Sequence, residues 1–138
     1  MLDLAFHNRS GIEDKQFSEK FFQRIISCAI KEVGKGKETF ELAISLVAPE
    51  EIKNLNRKYR GNNSVTDVLS FPELGDIIIC PERVREDAER RGISLEQRMA
   101  WVTIHGFLHI LGYDHERSLK DEKEMFELER KILESCGF

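Results

Sequence analysis

Residues 94–115 read SLEQRMAWVTIHGFLHILGYDH. Ser94-Leu95-Glu96-Gln97 is a capping box, in which a serine oxygen and a glutamine three residues on satisfy the free N–H groups that begin a helix. Met99, Val102, Ile104 and Leu108 follow at helical spacing. Gly112 comes after the last turn, where a left-handed cap is cheap for glycine and costly for other residues. Three of the chain's four histidines lie here. His105 and His109 are four apart, so they project from one helix face with Cβ atoms about 5–6 Å apart. The break at Gly112 lets the chain reverse, and Tyr113-Asp114 carries His115 back toward the pair. The stretch therefore predicts a helix and a following loop that aim three imidazoles at one point.

Outward from this helix, periodicity predicts the remaining elements. Leu2, Leu4 and Phe6 alternate, the pattern of a first strand. Phe17, Phe21, Phe22, Ile25, Ile26, Ala29, Ile30 and Val33 recur at helical spacing, and Gly34 closes that helix. Segment 39–47, TFELAISLV, puts Phe40, Leu42, Ile44 and Leu46 on one side, as a half-buried strand does. Pro49 stands where the first turn of a short helix begins, with Ile52, Leu55 and Tyr59 on its inner face. VLSF and IIIC read as two short strands parted by Pro72 and Gly75. Pro81 opens a polar helix that Gly92 ends, and its run ERVREDAERR predicts a solvated, ion-paired face. The last helix follows Ser118, with Met125, Leu128, Ile132 and Leu133 on its apolar face. No linker, repeat or low-complexity segment interrupts the chain. This order predicts one α+β domain over residues 1–138, with about four strands and about five helices. Strand order is not specified by these patterns.

Composition narrows the function classes. A chain of 138 residues is long enough to bury a core. With 41% hydrophobic and 33% charged residues it has the balance of a folded globular protein. No apolar run approaches the roughly 20 residues of a membrane span. The opening MLDLAFHNRS has neither the basic nor the apolar region of a signal peptide. Cys28, Cys80 and Cys136 are odd in number, widely spaced and form no CxxC, which predicts reduced thiols and a cytoplasmic location. A net charge of −4 gives no general attraction for nucleic acid. Such binding must come from a local basic patch or a metal.

The histidine spacing carries the chemistry. Three neutral imidazoles suit zinc, at about 2.0–2.1 Å per bond, and leave a fourth position open, the mark of a catalytic rather than a structural ion. One such constellation predicts one zinc per chain. His7, in the first strand and outside the cluster, reads as structural. The spacing matches the metzincin protease pattern H-E-x-x-H-x-x-G-x-x-H, except that Gly106 stands where the glutamate should be. In those proteases the glutamate takes a proton from the attacking water and delivers it to the leaving amine. Glycine has no proton to exchange. The favoured substrate is one whose transition state needs charge stabilisation more than that base, and a phosphodiester is such a substrate.

HGFLHILGYDH at 105–115 is similar to the H-G-x-L-H-x-x-G-Y-D-H signature of the bacterial YbeY endoribonucleases. LNRKYRGNNSVTDVLSFPE at 55–73 resembles that family's segment ending in VLSFP. GDIIICPE at 75–82 resembles its strand leading into a proline-started helix, and EKEMFELERKIL at 122–133 its C-terminal helix. The resemblance covers most of residues 40–138, while the first 40 residues match only in pattern. It implies a zinc-dependent, single-strand-specific endoribonuclease that acts in ribosomal RNA maturation, notably at the 3′ end of the 16S RNA, and in ribosome quality control. Implied partners are single-stranded RNA, ribosomal RNA and the small ribosomal subunit, with ribosome-associated proteins but neither DNA nor a membrane. The resemblance also implies an α+β fold with the metal helix packed on a small mixed sheet, and it places Arg60 facing the metal cleft.

Arg60 has a physical case of its own. Residues 56–63, NRKYRGNN, form a basic, amide-rich patch in an acidic chain, and arginine can hold a phosphate through two parallel hydrogen bonds. A helix C-terminus also favours basic residues without any ligand. Arg60 and His105 are the expected catalytic residues, and Arg60, Arg57 and Ser70 the expected substrate contacts, with Lys53 extending the patch. Asp114 and Glu116 flank His115 as candidates to orient an imidazole, and Asp67 is a further candidate contact. Phe71 reads as core, with stacking on a base as the other option. Two other functions use the same residues: a protease-like hydrolase without its glutamate base, and a non-enzymatic ribosome-assembly factor with a structural zinc.

Overall fold

A computed structural model describes residues 1–138. Strands Leu2–Arg9 (β1), Phe40–Val47 (β2), Val68–Phe71 (β3) and Asp76–Ile79 (β4) form one sheet in the order β1-β2-β4-β3. β1 and β2 pair in parallel from Leu2 opposite Phe40 to Arg9 opposite Val47, and β4 runs parallel to β2. β3 returns antiparallel to β4, with Val68 opposite Ile79 and Phe71 opposite Asp76. The sheet has the four strands that periodicity predicts and is mixed, as the family resemblance implies. Its order follows from burial. Ile77, Ile78 and Ile79 are buried and sit in the interior strand, while β3 is folded outward by a tight turn and stays on the edge. In that turn the N–H groups of Leu74 and Gly75 both donate to the Phe71 carbonyl. Gly75 has φ 69°, and a Cβ there would lie 2.6 Å from the Glu41 carbonyl oxygen, so the hairpin closes only on glycine.

Successive residues of β4 point to opposite faces and serve two cores. Ile77 and Ile79 enter the larger one, with Phe22, Ile25, Met99, Phe107 and Met125. This core lies under helices Glu19–Glu32 (α1), Pro81–Arg91 (α3), Leu95–Ile110 (α4) and Leu119–Ser135 (α5). Ile78 enters the smaller core, with Val47, Ile52, Leu69 and Cys80, beneath helix Pro49–Arg60 (α2). α4 is the central helix and touches α1, α3, α5, β3 and β4.

Three details differ from the sequence-based expectation. Phe17 precedes α1 rather than joining it: Ser18 takes the N-cap position, and the Phe17 ring packs on Phe21 at 5.1 Å. Tyr59 is not buried beneath α2. It is 55% exposed: it shares a helix face with Ile52, but the smaller core of Val47, Ile52, Leu69, Ile78 and Cys80 does not extend under the last turn of α2, and its ring meets Phe71 edge to face. The polar helix α3 is not solvated all round. Asp87 is buried there, paired with Arg83 at 3.2 Å and with Arg90, and approached by Arg98 of α4 at 4.0 Å. All three cysteines are free thiols. No helix is long and apolar enough to cross a membrane.

Candidate metal centre and its cleft

α4 begins as its capping box requires, with the Ser94 hydroxyl oxygen accepting from the Gln97 N–H at 3.0 Å. It ends at Gly112, where φ is 99° and the Gly112 and Tyr113 N–H groups close back onto the His109 and Leu108 carbonyls. That reversal returns His115 to the helix. Its ring centroid lies 5.3 Å from that of His105 and 5.4 Å from that of His109. The Nε2 atoms of His105 and His109 are 3.1 Å apart, and the candidate ligand atoms of all three residues lie within 4.8 Å of one another. Nδ1 of His115 is buried with no hydrogen-bond partner. Three imidazoles gathered this closely, one with an orphaned buried nitrogen, can hold a metal ion.

The residue that orients the cluster is Glu129 of α5. Its Oε1 accepts from Nδ1 of His105 at 2.6 Å, and its Oε2 accepts from Nε1 of Trp101 at 3.1 Å. Glu129 is 4% exposed and leaves the core only through these two donors. A carboxylate on Nδ1 keeps the proton there and turns the Nε2 lone pair inward, the arrangement that fixes a metal-binding tautomer. Trp101 stacks on His105 at 4.6 Å, and Arg98 lies over Trp101 at 4.1 Å, so Arg98, Trp101, His105 and His109 run along one face of α4. Burial lowers the pKa of Arg98, and repulsion from Arg91 adds to this, while Asp67 and Glu129 pull it up.

Asp114 and Glu116 are the sequence's candidates to orient an imidazole, with solvated loop charges as the other reading. The structure puts Asp114 to work in the loop, where it accepts the Glu116 N–H at 2.8 Å. Glu116 is exposed at 3.8 Å from His115 Nε2. Glu129 carried one available signal: it occupies the apolar register of α5 between Met125 and Ile132, where an unpaired carboxylate would be costly. Glu129→Gln should lower metal affinity about 10–100-fold, because the amide nitrogen that replaces one carboxylate oxygen only donates and would face one of the two N–H donors. Competition against a chromophoric chelator measures this, and unchanged affinity would remove Glu129 from the site.

Gly106 faces the sheet. A Cβ there would lie 2.9 Å from Ile77 Cγ2, 3.2 Å from Ser70 Oγ and 3.2 Å from Val68 Cγ2. The Ser70 hydroxyl donates to the Gly106 carbonyl at 3.0 Å and docks the helix on the edge strand. The position held by the protease glutamate is thus closed off by side chains of β3 and β4. That contact also forms the cleft, whose volume is about 570 Å³ and whose walls include Arg60, Asp67, Ser70, His105, His109 and His115.

Arg60 reaches the cleft from the opposite layer. Gly61, in the left-handed region, caps α2 and turns the chain toward β3. Arg60 Nη2 donates to the Ser70 carbonyl at 2.6 Å, with the guanidinium 5.6 Å from the Phe71 ring centroid. Asp67 is held by Arg98 at 3.6 Å. Arg57 does not line the cleft; it is exposed and directed at Asn54. Asn56 is no part of the surface patch, since it is buried and donates to the Ser64 carbonyl. His7 lies exposed on β1, outside the cluster.

Comparison with known proteins identifies the family and the fold. A family model described as "Endoribonuclease YbeY" matches residues 5–137. Similar proteins named "Endoribonuclease YbeY" occur in Halalkalibacterium halodurans, 37% identical over 99% of this chain and 95% of the relative, and in Staphylococcus carnosus, 36% identical over 99% and 97%. A relative of the same name from Caldanaerobacter subterraneus is 36% identical over 99% and 98%. The fold is similar to the solution structure of a Thermotoga maritima protein, with a TM-score of 0.68 and 32% identity across 97% of this chain and 89% of that one.

Proposed function

The chain belongs to the endoribonuclease YbeY family, and from that premise we propose that it cuts single-stranded RNA with one zinc ion held by His105, His109 and His115. In this reading it acts in the cytoplasm on ribosomal RNA of the small subunit, at the 3′ end of the 16S RNA among other sites, and in ribosome quality control. Its protein partners are ribosome-associated; DNA and membranes are not among its partners. The observation that carries the reading is a three-histidine cluster and Arg60 sharing one cleft. Three neutral imidazoles are a donor set suited to zinc. When bound, such an ion supplies Lewis acidity toward a phosphoryl oxygen and lowers the pKa of an attacking water.

The chain's own residues do the rest. His105, His109 and His115 bind the ion, and Glu129 holds the proton on His105 Nδ1. Arg60 is anchored on the Ser70 carbonyl, and its remaining N–H donors can take the non-bridging phosphate oxygens, where charge builds in the transition state. Ser70 serves through that carbonyl and through the helix contact of its hydroxyl. Arg57, exposed on α2, adds positive charge along the approach of the strand. A peptidase reading finds no support, since the position of its base is filled by Val68, Ser70 and Ile77. Metal-replete and metal-stripped protein, each given labelled single-stranded RNA, duplex RNA and casein, tests the proposal. Cleavage of single strands alone, lost on stripping and restored by zinc, is expected. Activity indifferent to metal, or cleavage of casein, would overturn it.

Acid should release the metal. Burial holds the His109 pKa below its ordinary value, and the neighbouring His105 and His115 push it the same way. Between that lowered value and the unfolded value of about 6.5, the folded chain binds fewer protons at His109 than the unfolded chain. Stability of the metal-free protein should therefore fall as pH drops through this window, and metal content should fall below about pH 6 as protons compete for the ligands. Elemental analysis after stepwise acid dialysis checks the second point. Metal retained at about pH 4 would mean ligands other than imidazole.

A further inference from the structure

We propose that Tyr59, backed by Phe71, forms a stacking subsite for one unpaired nucleobase of the RNA strand whose phosphate Arg60 holds. The proposal rests on the endoribonuclease reading and adds to it a place where the strand is gripped. Tyr59 and Phe126 are the two large aromatic side chains left exposed, and Tyr59 adjoins the residue that enters the cleft. Its ring meets Phe71 edge to face, at 5.3 Å and 73°, and a contact of that kind leaves ring surface open. The same Phe71 ring carries the Arg60 guanidinium at 5.6 Å. Lys58 Nζ lies over the Tyr59 ring, 5.2 Å from its centre, at the end of a flexible, exposed chain that an incoming base would displace toward the phosphates. Aromatic surface and cations therefore form one unit at the end of α2, on a chain whose net charge is −4.

That combination matches a nucleotide. The phosphate takes the fixed guanidinium, and the planar base takes the open ring, which binds any base because every base has a π-face. A base paired in a duplex is stacked on its neighbours and is not free to do this. The subsite thus gives a physical source for single-strand preference that the metal cluster alone does not contain.

The test uses metal-loaded protein and single-stranded RNAs in which each nucleotide around the cleavage site is replaced in turn by an abasic residue. Wild type, Tyr59→Ala and Tyr59→Phe are compared by kcat/KM. On intact RNA, Tyr59→Ala should lose roughly tenfold, the usual size of one base–aromatic stack, while Tyr59→Phe should lose little. At one abasic position wild type should lose a similar factor, and the gap between wild type and Tyr59→Ala should close there. The same Tyr59→Ala penalty at every abasic position would mean a packing role and overturn the subsite. So would the absence of any penalty on intact RNA. If wild type cuts intact RNA while either of these holds, only the subsite fails. If wild type neither binds nor cuts RNA, the endoribonuclease reading fails and the subsite falls with it.

Discussion

Arg60→Ala should keep its full metal content and lose on the order of 10²–10³ in the single-turnover rate of RNA cleavage, the usual cost of removing one preorganised charge donor. The two effects separate because Arg60 stands outside the histidine cluster and is fixed by Ser70 and Phe71 instead. Its hydrogen bond to the Ser70 carbonyl is made before any substrate arrives, so little reorganisation is left for the moment of reaction. Arg60→Lys should recover only part of the rate, because an ammonium is a point charge without the planar fork that serves the carbonyl and a phosphate together. RNA affinity should fall less than rate, since a group used mainly in the transition state contributes little to ground-state binding. Elemental analysis and cleavage of an end-labelled strand decide it. A wild-type rate would return Arg60 to the role of a helix-end charge, and loss of metal would make it structural.

Gly106→Glu should destabilise the fold by about 3–5 kcal/mol, through overpacking and an uncompensated buried charge. The added Cβ alone would stand 2.9 Å from Ile77 Cγ2, a methyl of the interior strand with nowhere to retreat. The carboxylate beyond it would enter the seam between α4 and β3, where the Ser70 hydroxyl is already engaged. Gly106→Ala should be milder. Alanine regains helix propensity of up to about 1 kcal/mol, against a tight but smaller clash. Urea denaturation of metal-free wild type and both variants checks the order. A glutamate variant with a wild-type midpoint would show that the seam is loose, and it would reopen the protease comparison. The glycine is thus explained by packing as well as by chemistry. It lets α4 lie directly on the edge strand, and that approach builds one wall of the cleft.

The sequence by itself determined what is local or periodic. The capping box, the two histidines one turn apart and the reversal at Gly112 depend on backbone geometry within a few residues, so the three-histidine cluster was legible. The alternation in β1 and β2 and the apolar register of α1 and α5 were legible for the same reason. The tertiary structure alone decided which distant groups meet. Glu129 is one glutamate among several in α5, and only the packing of α5 on α4 puts it against His105 and Trp101, 24 and 28 residues away. Strand order depended on which of β3 and β4 could be buried on both faces. Ser70 and Gly106 became partners only once β3 lay at the edge beneath α4. Tyr59 shows the limit most plainly. Helical spacing placed it inward, yet α2 has no core to offer its last turn, and exposure is set by what lies opposite a side chain rather than by its own register.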